Sequence, residues 1–179
     1  DSKEVSWDFT RNVLCQNISS NLLSELYHSL RCEQNLLVEN TRKLEFELNT
    51  LVSSAYNQPV NSSLPPLTNI TLFANPVYQY NSLEDNRYRQ QSDTFVELLS
   101  YTLGGMMGRY SLDLDSLVYA QSGNKGFKEL ETNETYKSFP ADDDGIIPLA
   151  SEEWLFDDDA TTRFKEFVKT VWGDENLSE

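Results

Sequence analysis

Between Ser92 and Asp113 the chain reads SDTFVELLSYTLGGMMGRYSLD. Phe95, Leu98, Leu99, Thr102, Leu103, Met106 and Met107 recur there at three- and four-residue spacing, which places them on one broad helical face. Val96 and Tyr101 widen that face. Ser92 stands where an N-cap is wanted, with Asp93 in the first turn. A face this apolar demands burial, so the rest of the domain is expected to pack onto it. Gly104 and Gly108 lie about one turn apart, where another backbone can approach closely. The expected fold class is mainly α: a helical scaffold built on a long N-terminal helix and this central apolar helix, with a Pro-rich linker and little or no sheet.

The N-terminal helix is read from about Ser19 or Ser20 to Tyr56, a run without Gly or Pro, either continuous or broken near Arg31 to Asn35. Leu23, Leu30, Leu37, Leu44 and Leu51 repeat every seven residues. A dimeric zipper also needs apolar residues three positions on. Those positions hold Leu26, Glu33, Asn40, Glu47 and Ser54, and only the first qualifies. No basic region precedes the seam, so a DNA-binding zipper is rejected. A long helix packed within its own chain is expected instead. Ahead of it, residues 1–17 read as an irregular lead-in whose aromatics, Trp7 and Phe9, dock on a core.

Residues 58–91 read as a linker, because Pro59, Pro65, Pro66 and Pro76 forbid regular helix. Ile70, Leu72 and Phe73 pin it to the core. Tyr78, Tyr80 and Tyr88 follow, beside Arg87 and Arg89. Arg87, Tyr88 and Arg89, together with Arg109 and Tyr110 where the chain leaves the central helix, are the candidate DNA or domain contacts, since rings stack on bases and guanidinium groups hold phosphates. Half-buried tyrosines at a domain edge are the plainer explanation, because bases are few.

Residues 92–179 read as the compact helical part. Ser111 or Asp113 caps a short helix through Leu117 to Ala120, and residues 127–140 are expected to be polar and exposed. Asp142-Asp143-Asp144-Gly145 invites comparison with a calcium loop. In the register that places Gly145 sixth, the first and last ligands fall on Pro140 and Ser151, so the motif reads as a structural turn. Ser151 opens a helical turn, and Asp157 to Asp159 cap a last helix ending at Trp172. Its buried face is Phe164, Phe167, Val168, Val171 and Trp172, and Gly173 stops it.

Acids outnumber bases 29 to 14, a net charge of −15. That excludes a stand-alone DNA binder working by phosphate neutralisation but leaves open an acidic interaction module or DNA mimic. Two cysteines, Cys15 and Cys32, and one histidine, His28, make no metal site, and the pair allows a disulfide without indicating one. Five N-x-S/T sequons (Asn17, Asn61, Asn69, Asn133, Asn176) are weak evidence for secretion in a chain this rich in Asn, Ser and Thr. No signal peptide and no membrane-spanning apolar run is seen. Asn75-Pro76-Val77-Tyr78 approaches the Asn/Asp-Pro-Pro-Tyr/Phe pattern of amino-methyltransferases. There the Asn accepts hydrogen bonds from the target amine and the aromatic stacks on the extruded base. Val77 replaces the second proline, and no glycine-rich loop after a strand precedes the motif to hold a cofactor. No other catalytic constellation is visible.

Ser6-Trp7-Asp8-Phe9, NITLFANPVYQY (69–80), LLSYTLGGMMGRYSLD (98–113), Asp143 to Leu149, and WLFDDDATTRFKEFVKTVWG (154–173) occur in this order. Together they resemble the PglX family, the large adenine-specific DNA methyltransferases of BREX phage-defence systems. The likeness covers nearly the whole chain and is to a segment downstream of the catalytic domain. It implies a bacterial, cytoplasmic parent enzyme that transfers a methyl group from S-adenosylmethionine to adenine N6. The family's catalytic motif and cofactor loop have no counterpart here, so catalytic, cofactor and metal residues are expected to be absent from this segment. The implied partners are the rest of the methyltransferase chain, DNA, and other BREX proteins, with no membrane. The implied role is a scaffold that positions the catalytic and target-reading parts around DNA.

Overall fold

Aromatic and small residues decide which side of the central helix is covered. The computed structural model describes residues 3–16, 22–59, 63–82, 86–119, 126–132, 135–149 and 158–178. Among these the elements are α1 (Leu23–Ala55), α2 (Pro76–Gln79), α3 (Arg87–Met106), α4 (Phe127–Thr132) and α5 (Ala160–Trp172), with short 3-10 turns and no strand. The mainly helical expectation holds. The chain divides into two compact units, one of residues 1–26 and 94–179, the other of residues 27–93.

In the first unit, α3 buries Leu98, Tyr101, Thr102, Gly105 and Met106. Val96, Leu99, Leu103 and Met107 stay exposed. The covered face is therefore narrower than the spacing predicts, and it is centred on Tyr101 rather than on the leucines. Tyr101 stacks on Tyr110 at 5.0 Å between ring centroids and meets Phe9 and Phe167 edge-on at 6.0 and 6.3 Å. Phe167 continues the chain of rings to Phe139 at 5.2 Å and Trp172 at 6.1 Å. Offset and edge-on pairs of this kind each add about 0.5–1.5 kcal/mol beyond the apolar area they bury.

The exit from α3 makes the stack possible. Gly108 is left-handed (φ 73°). Its N–H donates to Gly105 O at 3.0 Å, and the Arg109 N–H donates to Gly104 O at 2.8 Å. These two bonds close the helix in the pattern that wants glycine one residue past the cap. The reversal lays Tyr110 over Gly104, where a Cβ would stand 2.6 Å from the ring. The closeness expected at Gly104 and Gly108 is thus to rings, Tyr110 and Phe127, not to a second backbone.

α5 forms as the sequence predicts. Asp159 caps it, accepting from the Thr162 N–H at 2.5 Å, and Gly173 ends it at φ 91°. Phe167, Val168 and Trp172 are buried, with Phe164 and Val171 half-buried. The buried Asn176 then joins two helix ends. Its Nδ2 donates to Trp172 O, and its Oδ1 accepts the Leu23 N–H that opens α1, at 2.6 Å.

Three expectations fail in this unit. Trp7 does not dock: it is fully exposed, while Phe9 alone enters the core. No helix forms at residues 117–119, and Ala120 lies outside the described residues. Ser111 Oγ instead donates to Thr135 O, and Asp113 accepts from the Ser138 N–H and hydroxyl, so both would-be caps serve another segment. Residues 127–140 are not simply polar and exposed. They supply α4 and bury Thr135, Tyr136 and Phe139, because aromatics alternate there with the charges. Tyr136 donates its hydroxyl to Gly108 O at 2.7 Å, and burial pushes its pKa up to about 12. Asp142 accepts from the Asp144 and Ile146 N–H groups, so the acidic run is a turn. The expected turn at Ser151 lies outside the described residues.

In the second unit, α1 runs unbroken through Arg31 to Asn35, where Arg31 donates to Gln34 and Asn35 on its own helix. At 1.5 Å per residue the whole helix is about 50 Å long. Val38 and Ile70 are buried, and Arg42 Nε reaches Pro65 O at 2.6 Å. Of the leucine repeat, Leu23 and Leu30 are half-buried, but Leu37, Leu44 and Leu51 are exposed, as are Leu36 and Leu48, so its second half is not packed within its own chain as expected. α3 begins at Arg87, five residues before the expected cap Ser92, because Arg87 to Gln91 offer no breaker. Cys15 and Cys32 are both free thiols, and burial pushes Cys15 up to about 12.

Two measurements check this account. Gly108→Ala must hold an L residue at positive φ with its Cβ 2.6 Å from Phe127. It is expected to lower unfolding free energy by about 2–4 kcal/mol in urea, whereas Gly126→Ala, with open space around it, leaves stability unchanged or slightly higher. Asp159 has its carboxyl held below the ordinary 3.8, first by the Thr162 backbone hydrogen bond. A depressed folded pKa contributes stability above 3.8 that is lost as pH falls through the folded value. Asp159→Asn is therefore expected to flatten the fall in Tm below about pH 4.

Candidate nucleic-acid or domain interface

Asn75 is 1% exposed, and its whole amide is engaged. Nδ2 donates to Leu67 O at 2.7 Å and Ile70 O at 2.8 Å, and Oδ1 accepts from the Val77 N–H at 3.1 Å. The residue therefore caps α2 and pins the turn at Leu67–Asn69. It does not face an open cleft that admits a target amine, and no sheet lies beside it among the described residues. Pro76 at the first helical position completes an ordinary helix start.

Arg87, Tyr88 and Arg89 form the first turn of α3, and all are exposed. Arg89 lies over the Tyr80 ring, its Cζ 4.5 Å from the centroid. Tyr80 in turn donates to Asp93 Oδ2 at 2.7 Å. The result is one ring-and-guanidinium platform on the second unit, with Tyr88 projecting beside it.

Arg109 and Tyr110 belong to the first unit, where they line an open cavity of about 440 Å³ with Glu4, Val5, Trp7 and Ser116. The Arg109 guanidinium lies 5.5 Å from the Tyr110 ring centroid. Glu4 accepts from Ser100 Oγ through Oε2, while its other oxygen is enclosed without a hydrogen-bond partner. Burial raises the Glu4 pKa, and the Ser100 hydrogen bond and Arg109 oppose that rise. A bare indole suits the stacking of a planar group and the guanidinium the holding of an anion, which the Glu4 carboxylate beside it opposes when charged. They supply no nucleophile. Sequence reading missed Trp7 and Glu4 here, since nothing in the spacing tells an exposed tryptophan from a docked one. Ser116 completes the wall through a left-handed backbone (φ 70°) and an N–H to Thr10 O at 2.8 Å.

No group of three metal-ligating side chains is found among the described residues, and no described helix is long and apolar enough to cross a membrane. Of the sequons, Asn176 is buried by the bonds given above, and Asn17, Asn61 and Asn133 lie outside the described residues.

No family model matches the chain. Its similarity is to adenine-specific methyltransferases. The chain is 44% identical to the adenine-specific methyltransferase BrxX of Escherichia coli O9:H4 (strain HS) over 98% of its length. It is 29% identical to the adenine-specific methyltransferase PglX of Lacticaseibacillus casei (strain Zhang) over 100% of its length. In each case it spans 14% of the relative's length. The resemblance read from the ordered sequence blocks is thus shown: from end to end the chain matches one segment of such proteins.

Replacing Asn75 tests whether it is structural. Asn75→Ala removes three hydrogen bonds. The Leu67 and Ile70 carbonyls keep the Ile70 and Leu72 N–H donors, but the Val77 N–H loses its acceptor, and the change is expected to cost about 1–3 kcal/mol. Asn75→Asp keeps the acceptor and loses both donors, so it falls between in urea unfolding.

Proposed function

We propose that this chain is a non-catalytic scaffold and DNA-positioning segment of a BREX-type, site-specific DNA (adenine-N6) methyltransferase acting in phage defence. The end-to-end match to BrxX at 44% identity carries the reading. The engagement of Asn75 by its own backbone supports it, because the one motif resembling an amino-methyltransferase site holds a helix cap. S-adenosylmethionine is bound elsewhere in the parent enzyme, a bacterial cytoplasmic protein. The segment's partners are the rest of that polypeptide, the DNA it methylates, and other BREX proteins. Arg87, Tyr88 and Arg89 on one unit and Arg109 and Tyr110 on the other are its contacts with DNA or a neighbouring domain. The acidity of the chain suits a part whose basic DNA-binding surface lies outside it.

That same charge of −15 favours a second reading, a free acidic module or DNA mimic that binds a basic DNA-binding protein. One titration separates the two. In the full-length methyltransferase, Arg87→Ala with Arg89→Ala, and Arg109→Ala separately, are expected to weaken DNA binding and reduce its salt slope by about one unit per lost phosphate contact. Methyl-donor affinity stays unchanged. Unaltered DNA binding in all variants, with tight salt-sensitive capture of a basic protein by the chain, selects the second reading.

A further inference from the structure

α1 carries a bare apolar stripe that neither unit's core explains. Leu37, Leu44, Leu48 and Leu51 are 51–70% exposed. At about 100° per residue they fall within roughly 60° of one another, and from Leu37 to Leu51 they run about 21 Å along the axis. The side of α1 that bears Val38, Arg42 and Phe46 is the covered one, about two-fifths of a turn away. The stripe is thus a seam two heptads long, the length over which a second helix docks.

We propose that this seam docks a helix from the same polypeptide, outside these 179 residues, with an apolar face flanked by Lys and Arg. The inference rests on the reading that the chain works inside a longer methyltransferase. Relatives matched end to end are far longer, the chain spanning 14% of each, so ample chain exists to supply the helix. Charge selects its chemistry. Within about a quarter turn of the seam's midline stand Glu33, Glu45 and Glu47, with Lys43 just beyond them. A docking helix with basic flanks pairs with these carboxylates, and one with acidic flanks is repelled. A second copy fits poorly for the same reason. In either orientation a two-fold pairing brings Glu33 and Glu47 to the seam, between chains that each carry −15.

Thiol labelling of the full-length protein tests this, with Cys32, the exposed native thiol of this chain, replaced by serine. Leu44→Cys and Leu48→Cys sit on exposed positions, so neither removes a core side chain. Both are expected to react with a maleimide at least tenfold more slowly than Asn49→Cys, exposed on another face. Adding Glu33→Lys with Glu47→Lys is expected to restore fast labelling. Equal rates at positions 44, 48 and 49 overturn the proposal, and protection indifferent to the charge reversals overturns its account of the partner. Protection lost on dilution, with a dimer in sedimentation, assigns the seam to a second copy and also overturns it. The parent reading fails separately: it falls if the natural protein proves by mass to be only 179 residues long, whereas a long protein with an open seam removes the docking proposal alone.

Discussion

The reversal after α3 governs the larger unit. Gly108 turns left-handed, the helix closes on Gly104 and Gly105, and Tyr110 comes back over Gly104 to lie on Tyr101. Phe9, Phe167, Phe139 and Trp172 then gather in a continuous set of ring contacts. These rings come from three stretches of chain: the lead-in, the segment around Phe139 and α5. A side chain at Gly104 or Gly108 would push out the ring that occupies its place. The N-terminal lead-in and α5, distant in sequence, share a core because Phe9 and Phe167 both meet Tyr101 edge-on.

The same reversal sets the chemistry of the cavity beside it. Arg109 is carried outward by the turn that carries Tyr110 inward, so one backbone event yields a buried ring and an exposed guanidinium side by side. Burial raises the Tyr110 pKa, with Glu4 adding to the effect and Arg109 opposing it. The ring therefore remains a neutral surface across the physiological range. The bare face of Trp7 lines the same cavity, while the unpartnered oxygen of Glu4 is enclosed in its wall.

Helix α5 was legible because every level agreed: an acidic cap, one apolar face, a closing glycine. α1 was legible in extent for the same reason. Its partners were not, since the seven-residue leucine repeat states that a face is apolar and not what covers it. The central helix shows the opposite error. Leucine and methionine dominate the count, yet tyrosine and glycine carry the packing, because a stacked ring pair needs a small residue beneath it. Residues 127–140 were misread because single aromatics spaced among charges give no period, although Tyr136 and Phe139 are buried by contacts far along the chain. Of the candidate contacts, the pairing of Arg109 with Tyr110 follows from adjacency, but their meeting with Trp7 and Glu4 depends on the reversal. No short-range pattern announces that meeting.

Helix α1 has one further consequence. It is a single rod of about 50 Å, without Gly or Pro to soften it, and its opening N–H is gripped by Asn176. That grip gives one of the four N–H groups left over at a helix start a fixed acceptor, so the first turn of the rod is held against fraying.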